Sequence, residues 1–286
     1  MAQVGIMGGS GLYEMEGMTI KEELSLLTPF GEPSSNFLIG KLEGVQVVFL
    51  PRHGKGHKIS PSEINYRANL FAFKKIGVDA LVSVSACGSL KEEIRPLDFV
   101  VPDQFVDRTH GTRASTFFTG GIVAHVPMAE PVAPEIRQIL VESAREAGVT
   151  VHDGGTYVNM EGPQFSTKAE SHLYRSWGMD IIGMTNMTEA KLAREAEISY
   201  ATLAAVTDYD CWHETHESVT VEMILHNLSR NVENAKRILK IAISKIGKLK
   251  HFSAADALRY AIVTRPEAIP DHKKTELKII IGKYIQ

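Results

Sequence analysis

The chain opens with a short apolar run that leads directly into a glycine-rich turn, Val4-Gly5-Ile6-Met7-Gly8-Gly9-Ser10-Gly11-Leu12. The run is apolar at nearly every position, which is typical of a strand covered on both faces of a parallel sheet. Similar apolar, β-branched runs recur along the chain and alternate with amphipathic stretches of helical spacing. This alternation predicts an α/β fold in a single domain, with a mixed, largely parallel central sheet flanked by helices.

Seven runs are predicted strands: Val4–Met7, Val45–Leu50, Ala80–Ser85, Phe99–Val101, Thr156–Asn159, Asp180–Met184 and Ala201–Val206. Five stretches between and after them are predicted helices: Glu63–Ile76, Pro134–Ala147, Thr167–Trp177, Thr188–Ala196 and Val219–Ile246. We expect the α/β domain over residues 1–250 and a C-terminal helical extension over residues 251–286. In the extension, Ser253 is a plausible N-cap for a first helix over residues 253–263, and Lys273–Tyr284 is predicted to form a second helix.

The composition excludes several classes of protein. Of 286 residues, 44% are hydrophobic and 23% are charged, with a net charge of −3, which excludes wholesale disorder and nucleic-acid binding through bulk positive charge. No apolar run approaches the roughly 18 residues of a membrane helix. No signal peptide is recognised after Met1, so we expect a cytoplasmic protein. Cys87 and Cys211 lie far apart and indicate neither a disulfide framework nor a zinc site.

Charge is concentrated toward the C-terminus. Residues 236–286 contain 12 Lys/Arg and 4 Asp/Glu, a net charge of +8. A basic tail of this kind could bind nucleic acid. Because the lysines alternate with Ile and Leu at helical spacing, packed amphipathic helices are the favoured interpretation.

Polar and glycine-rich blocks follow several predicted strands, at the positions where ligands collect in α/β sheets. The glycine-rich segment Gly8–Leu12 could bind an anion through its backbone N–H groups, or it could simply form a tight turn. It matches neither a P-loop nor a dinucleotide motif. In the block Pro51–His57, Arg52 offers a planar fork and His53 a donor for an anion. Metal binding by His53 and His57 is disfavoured, because glycines separate them and no carboxylate or cysteine accompanies them.

Four further blocks follow strands: Ser83–Ser89, Asn159–Thr167, Gly183–Met187 and Val206–Trp212. In the first, Ser85 is a candidate ligand contact, and Cys87 is interpreted as a small packed hydrophobe. Asp208 and Asp210 alternate, so both would point the same way on extended backbone. Two neighbouring carboxylates repel each other, which favours a proton on one of them near neutral pH. Strand-end solvation or a turn cap explains either aspartate alone, but it explains the pair less well.

Five motifs carry a resemblance to a known family: Gly8-Gly9-Ser10-Gly11-Leu12, Arg52-His53-Gly54, Ser85-Ala86-Cys87-Gly88-Ser89-Leu90, Asn159-Met160-Glu161-Gly162-Pro163-Gln164-Phe165-Ser166 and Thr207-Asp208-Tyr209-Asp210-Cys211-Trp212. Together they resemble the S-methyl-5′-thioadenosine phosphorylases, in the trimeric branch of the purine nucleoside phosphorylase family. The similarity covers roughly residues 2–245, in the expected order, and the tail extends beyond shorter members. Ser10 and Ser85 are often threonine in relatives, which keeps the hydroxyl.

The resemblance implies phosphorolysis of 5′-methylthioadenosine to adenine and 5-methylthioribose-1-phosphate, with inorganic phosphate as co-substrate and no metal or organic cofactor. Six residues would hold phosphate: Ser10, Arg52, His53, Ser85, Ala86 and Thr185. Five would line the nucleoside: Phe165, Ser166, Met184, Val221 and, from an adjacent subunit, His125. Asp208 would be the general acid at N7, and Asp210, or Asp208 itself in a shared role, would accept from the N6 amine. The implied assembly is a homotrimer, and the sequence leaves open whether two trimers form a hexamer.

The aspartates also bear on the choice of base. A carboxylate accepts from the 6-amino group of adenine but opposes a 6-oxo group, acceptor against acceptor, so Asp favours 6-aminopurines. Three alternatives remain at this point. The enzyme could be a broad-specificity purine nucleoside phosphorylase acting on adenosine, inosine or guanosine. It could be a hydrolase that uses water, against which Arg52 and His53 argue. It could also be a catalytically silent binding protein whose glycine loops are only turns.

Overall fold

The computed structural model describes residues 2–12, 15–213 and 221–285, with Ser10 and residues 221–226 described by their backbone alone. The strands are β1 (Val4–Gly8), β2 (Thr19–Leu24), β3 (Phe37–Leu42), β4 (Val45–Pro51), β5 (Ala80–Ser89), β6 (Phe99–Val101), β7 (Gln104–Arg108), β8 (Val151–Asp153), β9 (Thr156–Met160), β10 (Ile181–Gly183) and β11 (Ser199–Asp208). The α-helices are α1 (Tyr66–Ile76), α2 (Pro134–Glu146), α3 (Lys168–Ser176), α4 (Asn186–Glu195), α5 (Val221–Ile246), α6 (Asp271–Glu276) and α7 (Lys278–Ile281).

The strands form one mixed sheet with the order β2-β3-β4-β1-β5-β10-β9-β7, while β11 pairs with β5 and β6, and β6 pairs with β8. The central strands β4, β1, β5 and β11 run parallel to one another. Antiparallel pairs join β2 to β3, β3 to β4, β5 to β10 and β6 to β11. The predicted α/β fold with a mixed, largely parallel sheet flanked by helices is confirmed. Parallel alignment brings the carboxyl ends of β1, β4, β5 and β11 to one edge of the sheet.

Two hydrophobic cores cover the two faces of the sheet, which explains why strand β1 is apolar on both sides. Val4 and Ile6 pack with residues of α2 and α5 on one face. Met7 packs with residues of α1 and α4 on the other. All five residues of β1 are buried, so its carboxyl end is held rigidly beneath the loop that follows.

Helix α1 begins later than predicted and ends where predicted. Asn65 caps it, because its side chain accepts from the amide of Ala68 at 3.1 Å, so the helix begins at Tyr66. It ends at Gly77, whose φ of 98° is the left-handed conformation that favours glycine.

Strand β5 is longer than expected, and this changes the geometry of one candidate motif. The strand was predicted to end at Ser85. Instead, Gly88 and Ser89 pair with Ile182 and Ile181 of β10, and the strand continues to Ser89. Strands β2, β3, β7 and β8 were not predicted, and β2 is largely exposed and charged, so it lacks the apolar pattern of a buried strand.

The predicted helix over residues 253–263 is wrong, because the segment forms successive turns. Two of its amides are bonded by side chains of a neighbouring segment rather than by carbonyls one turn earlier. Ala254 N donates to Ser199 Oγ, and Leu258 N donates to Glu197 Oε1, both at 3.1 Å. The second predicted helix is present as the two short helices α6 and α7. Among the described helices, none is long and apolar enough to cross a membrane.

Candidate active site

A cavity of about 480 Å³ lies at the edge of the sheet where β1, β4, β5 and β11 end, with residues of α5 forming one wall. Nine of the predicted site residues line it: Arg52, His53, Ser85, Ala86, Phe165, Met184, Thr185, Asp208 and Asp210. The side chains of Ser10 and Val221, which were also predicted, lie outside the described part of the structure. The fold therefore gathers segments that are up to 158 residues apart along the chain.

Two predicted residues do not line this cavity. The hydroxyl of Ser166 faces Met160 Sδ at 3.5 Å, next to the cavity wall. His125 lies elsewhere in the same chain, where its amide donates to Ala261 O at 2.8 Å. His125 therefore does not line the cavity of its own chain.

Arg52 is almost fully buried, and most of its donors are already used inside the protein. Its side chain is 4% exposed, and Nε lies 2.8 Å from Glu189 Oε1. Nη1 donates to Val84 O at 3.1 Å, while Nη2 donates to Met7 O at 3.1 Å and to Ser83 Oγ. Nε forms an ion pair with Glu189 but no hydrogen bond, so among the described contacts one Nη1 N–H has neither kind of partner. The free bidentate fork expected from the sequence is therefore not available in this arrangement.

His53 is held as a neutral ring. Burial, reinforced by the neighbouring Arg52 charge, lowers the pKa of His53 to about 4. Its Nδ1 lies 2.8 Å from Ile59 O, and since a carbonyl only accepts, Nδ1 carries the proton. Nε2 of the neutral ring is then an acceptor. In this arrangement the imidazole thus has no N–H available for the anion donation expected from the sequence.

The other wall near Arg52 combines a hydroxyl with a helix N-terminus. Thr185 is the N-cap residue of α4 and is 4% exposed, yet its side chain makes no capping bond. Thr185 also lines the cavity, so the positive end of the α4 dipole lies at this wall, which suits an anion. Ser85 Oγ donates to Asn186 Oδ1 at 2.6 Å, so its proton is engaged inside the protein.

Asp208 and Asp210 lie together in the cavity, although not for the reason predicted. Strand β11 ends at Asp208, and Asp210 has a φ of 51°, so the two do not alternate on extended backbone. A turn brings them together instead: Asp208 Oδ1 accepts from Asp210 N at 2.8 Å, and Oδ2 accepts from Thr207 Oγ1 at 2.6 Å. Asp210 Oδ2 is buried and has no hydrogen-bond partner among the described residues.

Both aspartates are predisposed to hold a proton. Burial raises the pKa of Asp208 from 3.8 to about 6, and the neighbouring Asp210 charge adds to the shift as a lesser cause. Burial also raises the pKa of Asp210. The repulsion on which the sequence argument relied is thus present, but desolvation dominates. A carboxyl group of this kind can donate a proton near neutral pH.

Comparison with known proteins decides the family. The model of the phosphorylase superfamily matches residues 3–244. This chain belongs to the phosphorylase superfamily. It is 54% identical over 282 residues to the S-methyl-5′-thioadenosine phosphorylase of Geobacter sulfurreducens, covering 99% of both chains. The family resemblance expected from the sequence is confirmed.

Solved structures of the superfamily agree with the fold. A methylthioadenosine phosphorylase from an antarctic soil metagenomic library superposes with a TM-score of 0.93 at 50% identity, covering 98% of both chains. A mutant adenosine/methylthioadenosine phosphorylase from Schistosoma mansoni, crystallised in complex with methylthioadenosine, gives a TM-score of 0.85 at 38% identity. That comparison covers 95% of this chain and 100% of the other.

One residue of this superfamily member that the sequence did not single out is Arg113. It is buried, and it donates to Glu161 Oε1 at 2.9 Å, to Tyr66 Oη at 3.2 Å and to the carbonyls of Glu161 and Met184. Asn159 Nδ2 also donates to Met184 O, at 3.2 Å. Arg113 thereby ties two cavity-lining loops together. No local pattern marks it, because its partners come from distant segments.

The apolar wall of the cavity includes helix α5, which presents Leu228 and Val232 beside Leu12. Asn227 and Asn231, one turn apart on this helix, donate through Nδ2 to the carbonyls of Thr207 and Val206 at 2.8 and 2.9 Å. These bonds fix the end of β11 immediately before Asp208. The sequence predicted the helix, but not that its asparagines would hold this strand.

Proposed function

We propose that the chain catalyses phosphorolysis of 5′-methylthioadenosine, with inorganic phosphate as the nucleophile. The proposal is supported by a single cavity that has Arg52, Thr185 and the N-terminus of α4 at one end and, at its other end, a buried carboxyl group whose pKa is about 6. Strand β5 links the two ends: Ser85 lies at the first, and Gly88 pairs with Asp208 at the second. Three residues of strand separate them by about 10 Å, which leaves room for a ribose.

At the anion end, phosphate is held by Arg52, Ser85, Ala86 and Thr185, together with the main-chain N–H of His53 and the turn at Ser10. To donate to phosphate, the Ser85 hydroxyl has to release Asn186 Oδ1, to which it donates in the structure. The N-terminus of α4 supports the negative charge. A phosphate oxygen placed beside the anomeric carbon stabilises the positive charge that develops on the ribose. It then forms the new C1′–O bond as the C1′–N9 bond breaks, and the bonding electron pair leaves with the purine.

At the base end, Asp208 transfers its proton to N7 and so neutralises the charge on the departing adenine. A positioned acid of this kind contributes typically about 10²- to 10⁴-fold. The buried Oδ2 of Asp210, which has no partner among the described residues, accepts from the N6 amine. The pair therefore selects a 6-aminopurine. Phe165 flanks the base and Met184 lies under the ribose, while Ser166 lies behind this wall in contact with Met160.

The 5′ pocket is proposed to be completed by a second copy of the chain. The methylthio group is apolar, and Leu228 and Val232 of α5 supply an apolar surface on one side. His125, which does not line its own cavity, is contributed by the neighbouring subunit of a homotrimer. Exposed Val123, Tyr260 and Val263, at 48%, 92% and 62%, support a subunit contact near His125. A hexamer of two trimers and a cytoplasmic location remain predictions from the sequence.

The test is adenine release from methylthioadenosine with and without inorganic phosphate, followed by analysis of the sugar product. We expect release to require phosphate and to yield 5-methylthioribose-1-phosphate. Release of free methylthioribose in phosphate-free buffer would instead identify a hydrolase. Adenosine and inosine are assayed in parallel, since the similar Schistosoma protein is named for adenosine as well. Comparable turnover of inosine would favour a broad-specificity purine nucleoside phosphorylase.

A further inference from the structure

A buried carboxylate stands behind the anion-binding end of the cavity without lining it. Glu189 lies on α4 and is fully buried, and its Oε1 is 2.8 Å from Arg52 Nε. Its Oε2 accepts from Ser83 Oγ at 2.7 Å, from Tyr200 Oη at 2.9 Å and from Asn186 Nδ2 at 3.2 Å. Every described contact of this carboxylate is thus with a donor.

The same network of hydrogen bonds reaches Ser85, another side chain at this end of the cavity. Asn186 uses Nδ2 on Ser83 and Tyr200, both at 2.9 Å, as well as on Glu189. Its Oδ1 is therefore turned toward Ser85 Oγ, from which it accepts at 2.6 Å. This network behind the cavity orients both Arg52 and Ser85, and Val84 O, on the cavity wall, accepts one further hydrogen bond from Arg52.

We propose that Glu189 is a positioning residue that acts as an internal counter-ion to Arg52 and competes with the substrate anion for its charge. The guanidinium and the carboxylate together carry no net charge, and His53 is neutral beside them. Phosphate is then held by oriented neutral donors and only part of the Arg52 field, which keeps ground-state binding loose. The inference rests on the proposed function only in taking inorganic phosphate as the anion beside Arg52.

Glu189→Gln separates this role from a merely structural one. The glutamine amide has the same shape, but the group that it can turn toward Arg52 is a neutral carbonyl oxygen. The guanidinium therefore becomes an uncompensated buried charge. Phosphate can supply the missing negative charge. We therefore expect inorganic phosphate to bind E189Q about tenfold or more tightly than it binds wild type, with kcat reduced because Arg52 is less well held. A purely structural glutamate would instead give weaker phosphate binding or none.

The matched control is Glu195→Gln on the same helix. Glu195 is also a buried carboxylate, bonded to Thr116 Oγ1 and Phe117 N at 2.7 Å, and it does not line the cavity. E195Q should bind phosphate within about twofold of wild type. If E189Q and E195Q change the affinity for phosphate to the same extent, the effect comes from the loss of any buried carboxylate on α4. That result would overturn the proposal.

The measurement is isothermal titration of inorganic phosphate into wild type, E189Q and E195Q, with circular dichroism to establish folding. If E189Q is unfolded in phosphate-free buffer, phosphate should restore its structure and its thermal transition, because the anion replaces the lost charge. Folded E189Q that binds phosphate no tighter than wild type, or unfolded E189Q that phosphate does not restore, refutes the proposal. Neither readout needs turnover, so a wild-type chain that does not release adenine would refute the proposed function alone.

Discussion

Replacing Asp208 by asparagine should lower activity and raise stability at the same time. Its pKa of about 6 in the folded protein lies above the ordinary 3.8, so the folded state binds the proton more tightly than the unfolded state. Wild-type stability therefore falls as the pH rises from about 4 to about 6, and above this range the buried carboxylate costs about 3 kcal/mol. Asp208→Asn removes a group that titrates, and with it this pH-dependent cost.

Urea unfolding of wild type and Asp208→Asn at about pH 4 and about pH 8 measures the effect. The stability of the variant relative to wild type should increase by about 2–3 kcal/mol between these pH values, whatever constant offset the amide introduces. Asp271→Asn is the control, because the Asp271 side chain is 98% exposed. A difference that does not change with pH would show that Asp208 has an ordinary pKa, and the acid role would lose its physical basis.

In the same variant, methylthioadenosine turnover should fall by about 10²-fold, the loss expected for a general acid. Inosine cleavage should fall less or rise, because an amide can donate to a 6-oxo group, and the ratio of the two kcat/KM values measures this. For wild type, kcat/KM for methylthioadenosine should decline above about pH 6, as Asp208 loses its proton, and this limb should be absent from the pH profile of Asp208→Asn. Arg52→Lys keeps a charge opposite Glu189 but loses the fixed guanidinium, so steady-state kinetics should show a phosphate KM raised about tenfold with the nucleoside KM unchanged; equal increases in both would argue against an anion site. Dilution that dissociates the oligomer should abolish activity, because each cavity then loses the His125 of the neighbouring subunit. Light scattering and rate measurements on the same samples test this, and a fully active monomer would contradict the proposed subunit contribution.

The parts of the site that the sequence predicts are those with a local signature. Arg52, Ser85, Thr185 and Asp208 each follow or end an apolar run, and parallel strands bring such positions to one edge of a sheet. Their partners have no such signature. Glu189 and Arg113 are found only in the folded structure, because the groups they bond come from segments far away in the chain.

The errors in the predicted fold have a related cause. The segment after Ser253 has helical composition, but Glu197 and Ser199 capture its amides before a helix can form. Strand β2 is exposed and charged, so its pairing with β3 leaves no apolar alternation to detect. The extended β5 arises because Ser85–Ser89 finds partners on both sides, in β10 and β11. In each case the secondary structure depends on contacts with distant segments, and the local sequence pattern does not indicate these contacts.

The central claim is that one cavity holds an anion beside Arg52 and a purine beside Asp208. A crystal structure of the protein with inorganic phosphate and a non-cleavable methylthioadenosine analogue tests this most directly. We expect phosphate within hydrogen-bond distance of Arg52, Ser85 and Thr185, N7 of the purine at Asp208, and its N6 amine at Asp210. Phosphate bound elsewhere, or a purine whose N7 and N6 face away from both aspartates, would contradict the account.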